Sequence, residues 1–444
     1  MLVRGKDIIG KGTTGQVVER SRRSGLGRQL VLFVIAACFM AAAMKIFESS
    51  FNNFLNDTFR LSAEQRGRLE FPRELPGFLV AVFAGVFFFI NEVRLAALAL
   101  GVLAVGNIGI GVFGRDYWVM IAFMFLYSAG MHLFGPLRGA IILSEAQPNE
   151  RATRLGQIGG IQIIATIAGA AVVWIGWQYL QVGYTTLFVL SGALTLAGAL
   201  VMTGMRPVRH HVGARPKLVV KRKYGLFYLL SILFGARKQI FITFGPWVLI
   251  KVFKQPPSTF GLLSIIASAI GVWMLPQLGR WIDRLGERAI LMAEAALLVF
   301  VCVSYGYAER FAGSLALYVV GGTLVLDELL FSVGMARTTY MDKIAETRAD
   351  LTASLSLSVT IDHAVSMTVP AFGGYLWVKY DYPTVFLAGA VIAVITLVAA
   401  SRVRVPRSVE LSEAGQLAAT ETLQPEAAEH AGPPIGEEAL PDGP

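Results

Sequence analysis

The residues of this chain with chemistry to do are ionisable side chains set inside long apolar runs. Lys45, Glu48 and Asn52 follow one another at i, i+3 and i+7, which puts them on one face of a helix. His132 stands alone in its run, whereas Arg237 and Lys238, Asp327 and Glu328, and Asp362 and His363 come as adjacent pairs. Such groups are costly in lipid and are kept where they pair with one another or line a solute or ion path. Lys45, Arg237 and Lys238 nearly balance Glu48, Asp327, Glu328 and Asp362. Burial favours a protonated carboxyl and a nearby cation favours the ionised one, so a carboxylate that exchanges partners takes up or releases a proton. The other reading is that these are permanent pairs that fix helix packing. Two basic residues at 237–238 suit a ligand carboxylate or phosphate, while the acids at 327–328 suit a cation.

Other chemistries are poorly supported. Gly10-Lys11-Gly12-Thr13-Thr14-Gly15-Gln16-Val17 spells a kinase glycine-rich loop. Such a loop needs strands and a lysine platform behind it, and an apolar run begins about a dozen residues later with no room for either. Cys38 and Cys302 both lie in apolar runs and suit neither a disulfide framework nor a zinc site. No H-E-x-x-H or nucleophile–histidine–acid set is present, and adjacent Asp362 and His363 on a helix point about 100° apart. The expectation is a protein that is not an enzyme and carries no metal or cofactor, with a proton as its coupling ion.

The elements that must position these residues follow from composition. Of 444 residues 55% are hydrophobic and 16% charged, and the mean hydropathy is +0.60. That excludes disorder for most of the chain and fits poorly with a soluble enzyme. A bilayer core of about 30 Å takes ~20 apolar residues as helix. Apolar runs of that kind fall at 29–55, 72–90, 94–113, 117–144, 154–176 and 182–204, then at 224–250, 258–279, 289–308, 312–336, 350–378 and 382–401. The first is too long for a signal peptide. Residues 351–362 alternate apolar and polar like a strand, but a lone strand in lipid leaves its backbone unsatisfied. As helix, Ser354, Ser358, Asp362 and Ser366 form one polar stripe facing protein or water.

The net charge of +9 is distributed by side of the membrane. Arg206, Arg209, Arg215, Lys217, Lys221, Arg222 and Lys223 crowd the central connection, and Arg20, Arg22, Arg23 and Arg28 lie on the N-terminal arm. This bias predicts both termini in the cytoplasm of a cell whose inner membrane holds the chain. Basic residues beside a membrane suit anionic headgroups and argue against a nucleic-acid partner. The resulting plan is a basic arm at 1–28, six spans at 29–204, a basic connection at 205–223, six spans at 224–402 and a disordered acidic tail at 403–444. The chain is expected to be a monomer.

The two halves echo each other. Without gaps, residues 30–94 match 224–288 at Leu32/Leu226, Phe33/Phe227, Phe47/Phe241, Leu55/Leu249, Phe59/Phe253, Gly67/Gly261, Gly77/Gly271, Gly85/Gly279 and Arg94/Arg288, among others. Phe59-Arg60 and Phe253-Lys254 also correspond, as do Gly135-x-x-Arg138 and Gly334-x-x-Arg337. Parallel repeats of six spans are a transporter signature. Between the eighth and ninth spans stands Gly279-Arg280-Trp281-Ile282-Asp283-Arg284-Leu285-Gly286-Glu287-Arg288. It resembles the G-x-x-x-D-R-x-G-R-[KR] loop of the major facilitator superfamily, in which contacts of the acid and arginines bias the inward–outward equilibrium.

The resemblance covers about residues 28–402. It implies an all-α membrane protein of two six-helix bundles, and a gating role for Gly279, Asp283, Arg284, Gly286 and Arg288. The first-half copy keeps Gly85 and Arg94 but has Phe89 where the acid belongs. In that family the first, fourth, seventh and tenth spans line the cavity, which implies a substrate and ion path at Lys45, Glu48, Asn52, His132, Arg237, Lys238, Asp327 and Glu328, with Asp362 and His363 added from the eleventh. Arg138 and Arg337 sit near cytoplasmic span ends, as a gate or as side chains snorkelling to headgroups. Trp247 and Trp273 are expected to pack. The fifth-span motif of drug–proton antiporters is not met, since Gly156, Gly159, Gly160 and Gly169 come without a proline, although Pro370-x-x-Gly373-Gly374 carries a fragment of it. The expected function is proton-coupled secondary transport of a small organic solute. An uncoupled facilitator or a transporter-fold sensor or scaffold is the alternative.

Overall fold

The computed structural model of the chain describes residues 12–83, 91–145, 151–207 and 220–405. The helices are α1 (Gly12–Phe59), α2 (Ala63–Arg68), α3 (Glu70–Phe83), α4 (Glu92–Phe113), α5 (Tyr117–Glu145), α6 (Arg151–Gln178), α7 (Tyr184–Thr203), α8 (Gly225–Lys251), α9 (Pro257–Ala312), α10 (Ala316–Leu330), α11 (Gly334–Ile344), α12 (Arg348–Tyr380) and α13 (Tyr382–Ala400). Over its described residues each expected span falls on helix to within a few residues. Among the described residues eight helical stretches are long and apolar enough to cross a membrane, and one of them, Pro257–Ile344, runs through three of the expected spans. The strand-like run at 351–362 is helix within α12. The acidic tail beyond 405, most of the basic connection, the start of the N-terminal arm, Gly85 and Phe89 lie outside the described residues.

Local chemistry sets the helix ends. Ser62 and Gln65 form a reciprocal capping box at the start of α2, with Gln65 N donating to Ser62 Oγ at 3.1 Å and Ser62 N to Gln65 Oε1 at 2.9 Å. Gly286, at φ 81°, separates the two helices within α9, a conformation that favours glycine. Gly12 to Val17 are helical, so the glycine-rich stretch is no phosphate loop over those residues.

The internal repeat has a backbone counterpart. Arg60, just after α1, and Lys254, three residues after α8, both take the left-handed region, at φ 52° and 55°. The matched pair Gly67 and Gly261 both sit where the halves touch. A Cβ on Gly67 would overlap the Pro370 carbonyl of α12, and one on Gly261 would stand 2.7 Å from the Ala170 carbonyl oxygen of α6. α2 and α3 therefore pack on α12 as α9 packs on α6. Small residues allow that backbone approach in lipid, where packing rather than the hydrophobic effect holds helices together. The Pro370-x-x-Gly373-Gly374 fragment serves this contact, since a Cβ on Gly374 would meet the Ala63 carbonyl oxygen at 2.6 Å.

The halves α1–α7 and α8–α13 meet at one end. There Asn53 Nδ2 donates to the Gln255 carbonyl at 2.8 Å, and Ser258 Oγ donates to Gln178 Oε1 at 3.2 Å. Toward the end that carries the central connection, Gly135, Gly139, Gly156, Gly159, Gly160 and Gly279 face open space, with nothing within 4 Å of where a Cβ would stand.

Candidate functional site

Between the halves lies a cavity of about 590 Å³. Lys45, Glu48, Asn52, His132, Lys238, Asp327, Glu328, Asp362 and His363 all line it. Arg237 does not: it is 2% exposed, inside the second half.

Lys45 is shared. Its Nζ lies 3.4 Å from Glu48 Oε2 on its own helix and 3.3 Å from Glu328 Oε1 on α10, across the interface. The lysine is 14% exposed, and the two carboxylates are 48% and 46% exposed into the cavity. One cation thus faces two half-exposed acids.

The second half holds its own closed set. Arg237 Nη1 pairs with Asp327 Oδ1, and its Nη2 lies 4.0 Å from Glu294 Oε1. Arg337 lies 3.8 Å from Glu294 Oε2 and 3.4 Å over the Phe234 ring. Lys238 pairs with Asp362. Both basic residues of α8 are therefore paired, and the anion site expected between Arg237/Lys238 and α1 is not formed. Adjacent Asp327 and Glu328 diverge, one into its own half and the other across to Lys45. Arg337, read from the sequence as a gate or a headgroup contact, is placed beside Glu294 by a helix path that continues through the Phe331–Val333 turn.

α2 and α3 contribute residues that the span boundaries concealed. Arg66, Glu70, Arg73 and Glu74 repeat at i, i+4, i+7 and i+8 along one helix face. Arg66 Nε donates to Asn52 Oδ1 at 2.9 Å, and its Nη1 pairs with Glu70 at 2.5 Å. Arg73 bridges Glu70 at 2.5 Å and Glu74 at 2.7 Å. Gln239 of α8 donates to Glu70 Oε2 at 2.9 Å, tying the ladder to the second half. At its end Glu74 Oε2 lies 3.0 Å from His363 Nδ1 and 4.0 Å from His132 Nε2. Metal-ligand spacing is absent from the sequence, yet the fold gathers these three ligands from three helices.

The loop motif is differently engaged from its expectation. Asp283, Arg284 and Arg288 are exposed and make no ion pair among the described residues. Glu287, 2% exposed, pairs instead with Lys343 of α11 at 2.6 Å. Gly279 stands clear of neighbours. Arg138 is half-buried on α5 and makes no ion pair among the described residues. Trp247 packs in the core, whereas Trp273 is exposed on the outer surface of α9 rather than packed.

Residues 33–353 match the Major Facilitator Superfamily. Several solved transporters share the fold. The nucleoside transporter NupG is similar over 84% of this chain and 98% of its own, with a TM-score of 0.68 and 13% identity. A D-xylose-proton symporter is similar over 86% and 98%, with a TM-score of 0.67 and 12% identity. A bacterial homolog to the human lysosomal transporter Spinster, inward-facing and occupied, is similar over 86% and 97%, with a TM-score of 0.61 and 16% identity. No curated protein sequence matches the chain. At these identities the structural likeness is one of fold, while the sequence match spans most of both halves, and on it the chain belongs to the major facilitator superfamily.

Proposed function

We propose that the chain is a secondary active transporter that moves a small organic solute by alternating access, coupled to protons. The observation that carries this reading is Lys45 shared between Glu48 and Glu328. One ammonium between two carboxylates leaves the site with a net negative charge, and the two acids compete for the same partner. One of the two acids belongs to the opposite half, so rocking the halves apart removes its partner. Proton uptake and conformation are then linked through one contact.

The cavity favours an uncharged or zwitterionic polar solute. Its cations are already paired, and Phe47, Phe51, Tyr127, Phe241 and Phe331 offer apolar faces beside Asn52. Nucleosides and D-xylose, the solutes of two structurally similar transporters, are the first to test. On the distribution of basic residues both termini are cytoplasmic, the membrane is the cell's inner one, and the basic arm and central connection rest on anionic headgroups. The open end of the cavity then faces inward. The chain works as a monomer.

Purified protein in liposomes, with and without an imposed pH gradient, tests the reading. Solute accumulation that follows the gradient is expected. Flux that ignores the gradient would leave an uncoupled facilitator. Solute binding without flux, together with function lost on removing residues 403–444, would leave a sensor or scaffold. A thermal-stabilisation screen of metabolites identifies the solute.

A further inference from the structure

Glu74 on α3, His132 on α5 and His363 on α12 offer ligand atoms that all lie within 4.8 Å of one another. His363 belongs to the second half and the other two to the first. Each lines the cavity, so an ion can reach them through water. The two imidazoles stand edge to face, with ring centroids 4.6 Å apart at 87°. His132 Nε2 is buried and has no hydrogen-bond partner. The space for both rings comes from Gly77, where a Cβ would stand 2.5 Å from His363 Cε1 and 2.9 Å from His132 Cε1.

The surroundings leave the three ligands free to act together. Arg73 holds only Oε1 of Glu74 and is itself balanced by Glu70, so Oε2 remains to face the imidazoles. Lys238, the other cation of the cavity wall nearby, is held by Asp362. Two imidazoles and one carboxylate suit zinc and its borderline neighbours rather than magnesium or calcium, and a fourth position stays open to cavity water. Bonds of ~2.0–2.1 Å set neighbouring ligand atoms roughly 3.3 Å apart in a tetrahedron, so a closing movement of about 1–1.5 Å by one imidazole completes the set.

We propose that Glu74, His132 and His363 form a binding site for a zinc-class divalent cation that clasps the two halves together. Two of its ligands sit on one half and the third on the other, so the site exists in the conformation seen here and opens when the halves rock apart. Bound metal therefore holds this conformation and stops the transport cycle. The binding claim stands without any transport reading; the clasp claim rests on alternating access.

The test uses the full chain and a variant in which the remaining histidines, His210, His211 and His430, are replaced by alanine. Zinc chloride is titrated by calorimetry and by thermal unfolding, with magnesium chloride as control. One saturable zinc site, a raised melting temperature reversed by chelator, and no response to magnesium are expected in both proteins. His132→Ala and His363→Ala should each weaken zinc binding by about tenfold or more, and so should Glu74→Gln. Where an alanine variant does not fold, His363→Gln, which keeps a polar side chain, replaces it. Zinc binding that survives His132→Ala and His363→Ala, or that vanishes with the other histidines, would overturn the site. For the clasp, Asn53→Cys is introduced with Cys38 and Cys302 replaced by alanine, and maleimide labelling is timed. Zinc should slow labelling at this closed end by roughly tenfold, the effect of a tenfold preference for one state. Zinc bound with no change in labelling would refute the clasp and leave the site.

Discussion

Lys45 of α1 and Glu328 of α10 lie 3.3 Å apart across the two halves, and Glu48 competes for the same ammonium at 3.4 Å. A second link between the halves, from His363 to Glu74, is at 3.0 Å. Neither lies at the end where the backbones are in contact. The closed end is held by packing and by the Asn53 and Ser258 hydrogen bonds, whereas the middle of the interface is held by charge. The two halves are therefore joined by two different kinds of contact, packing at one end and charge in the middle.

Removing one competitor should uncouple transport from protons. Glu328→Gln leaves Lys45 with Glu48 alone and cuts the charged link between halves. Accumulation driven by a pH gradient is expected to be largely lost, while exchange of labelled solute at equal pH persists. Glu48→Gln should have the milder effect, because it leaves the cross-interface pair intact. Equal loss of accumulation and exchange in Glu328→Gln would instead mark Glu328 as a solute-binding residue.

The Asp327–Arg237–Glu294–Arg337 set behaves as structure. Arg237 is buried on all sides, so its removal leaves Asp327 without a partner and Glu294 with Arg337 alone. Arg237→Ala should destabilise the protein by about 3–5 kcal/mol. The double change Arg237→Met with Asp327→Leu should recover much of that loss, since an apolar pair of similar volume avoids desolvating two charges. Thermal unfolding in detergent of the singles and the double checks this as a cycle.

Closure at the far end depends on Gly67. A side chain there overlaps the Pro370 carbonyl, which is backbone and cannot move aside cheaply. Gly67→Val should push α2 off α12 and favour the other conformation. Maleimide labelling of Asn53→Cys, buried at that end, is then expected to speed up by roughly tenfold. An unchanged rate would mean that the helices accommodate the side chain within the closed state.

The span pattern was legible because burial in lipid demands long apolar runs, and part of the repeat was legible because Gly67 and Gly261 both stand where helix backbones touch. Pairing was not. Asp327 and Glu328 are neighbours in sequence, but successive side chains on a helix point about 100° apart, and only the fold decides which half each one meets. Arg66 and Glu70 fall before the expected second span at 72–90, and Arg73 and Glu74 fall at its very start, so the four were not read as one set. The first two read as a loop by hydropathy, although the i, i+4, i+7, i+8 spacing of all four was a helical signal. Glu294 lies within an expected span and was overlooked as a lone acid. The Glu74–His132–His363 set has no sequence spacing to find, since each ligand comes from a different helix.

The loop motif offers a final discrimination between Asp283 and Glu287. Glu287 is buried and paired with Lys343 in this conformation, while Asp283, on the other side of the Gly286 break, is exposed. Glu287→Gln removes a charge-assisted contact between α9 and α11 and should cost about 1–3 kcal/mol, lowering the melting temperature of the protein in detergent. Asp283→Asn removes nothing that this state uses, so its melting temperature should be unchanged. If Asp283 makes its contact only after the halves rock, as the family loop implies, the same variant should still slow transport several-fold by weakening the other state. Measured together, stability and transport rate therefore assign one acid to each conformation. A stability loss in Asp283→Asn, with none in Glu287→Gln, would reverse the assignment.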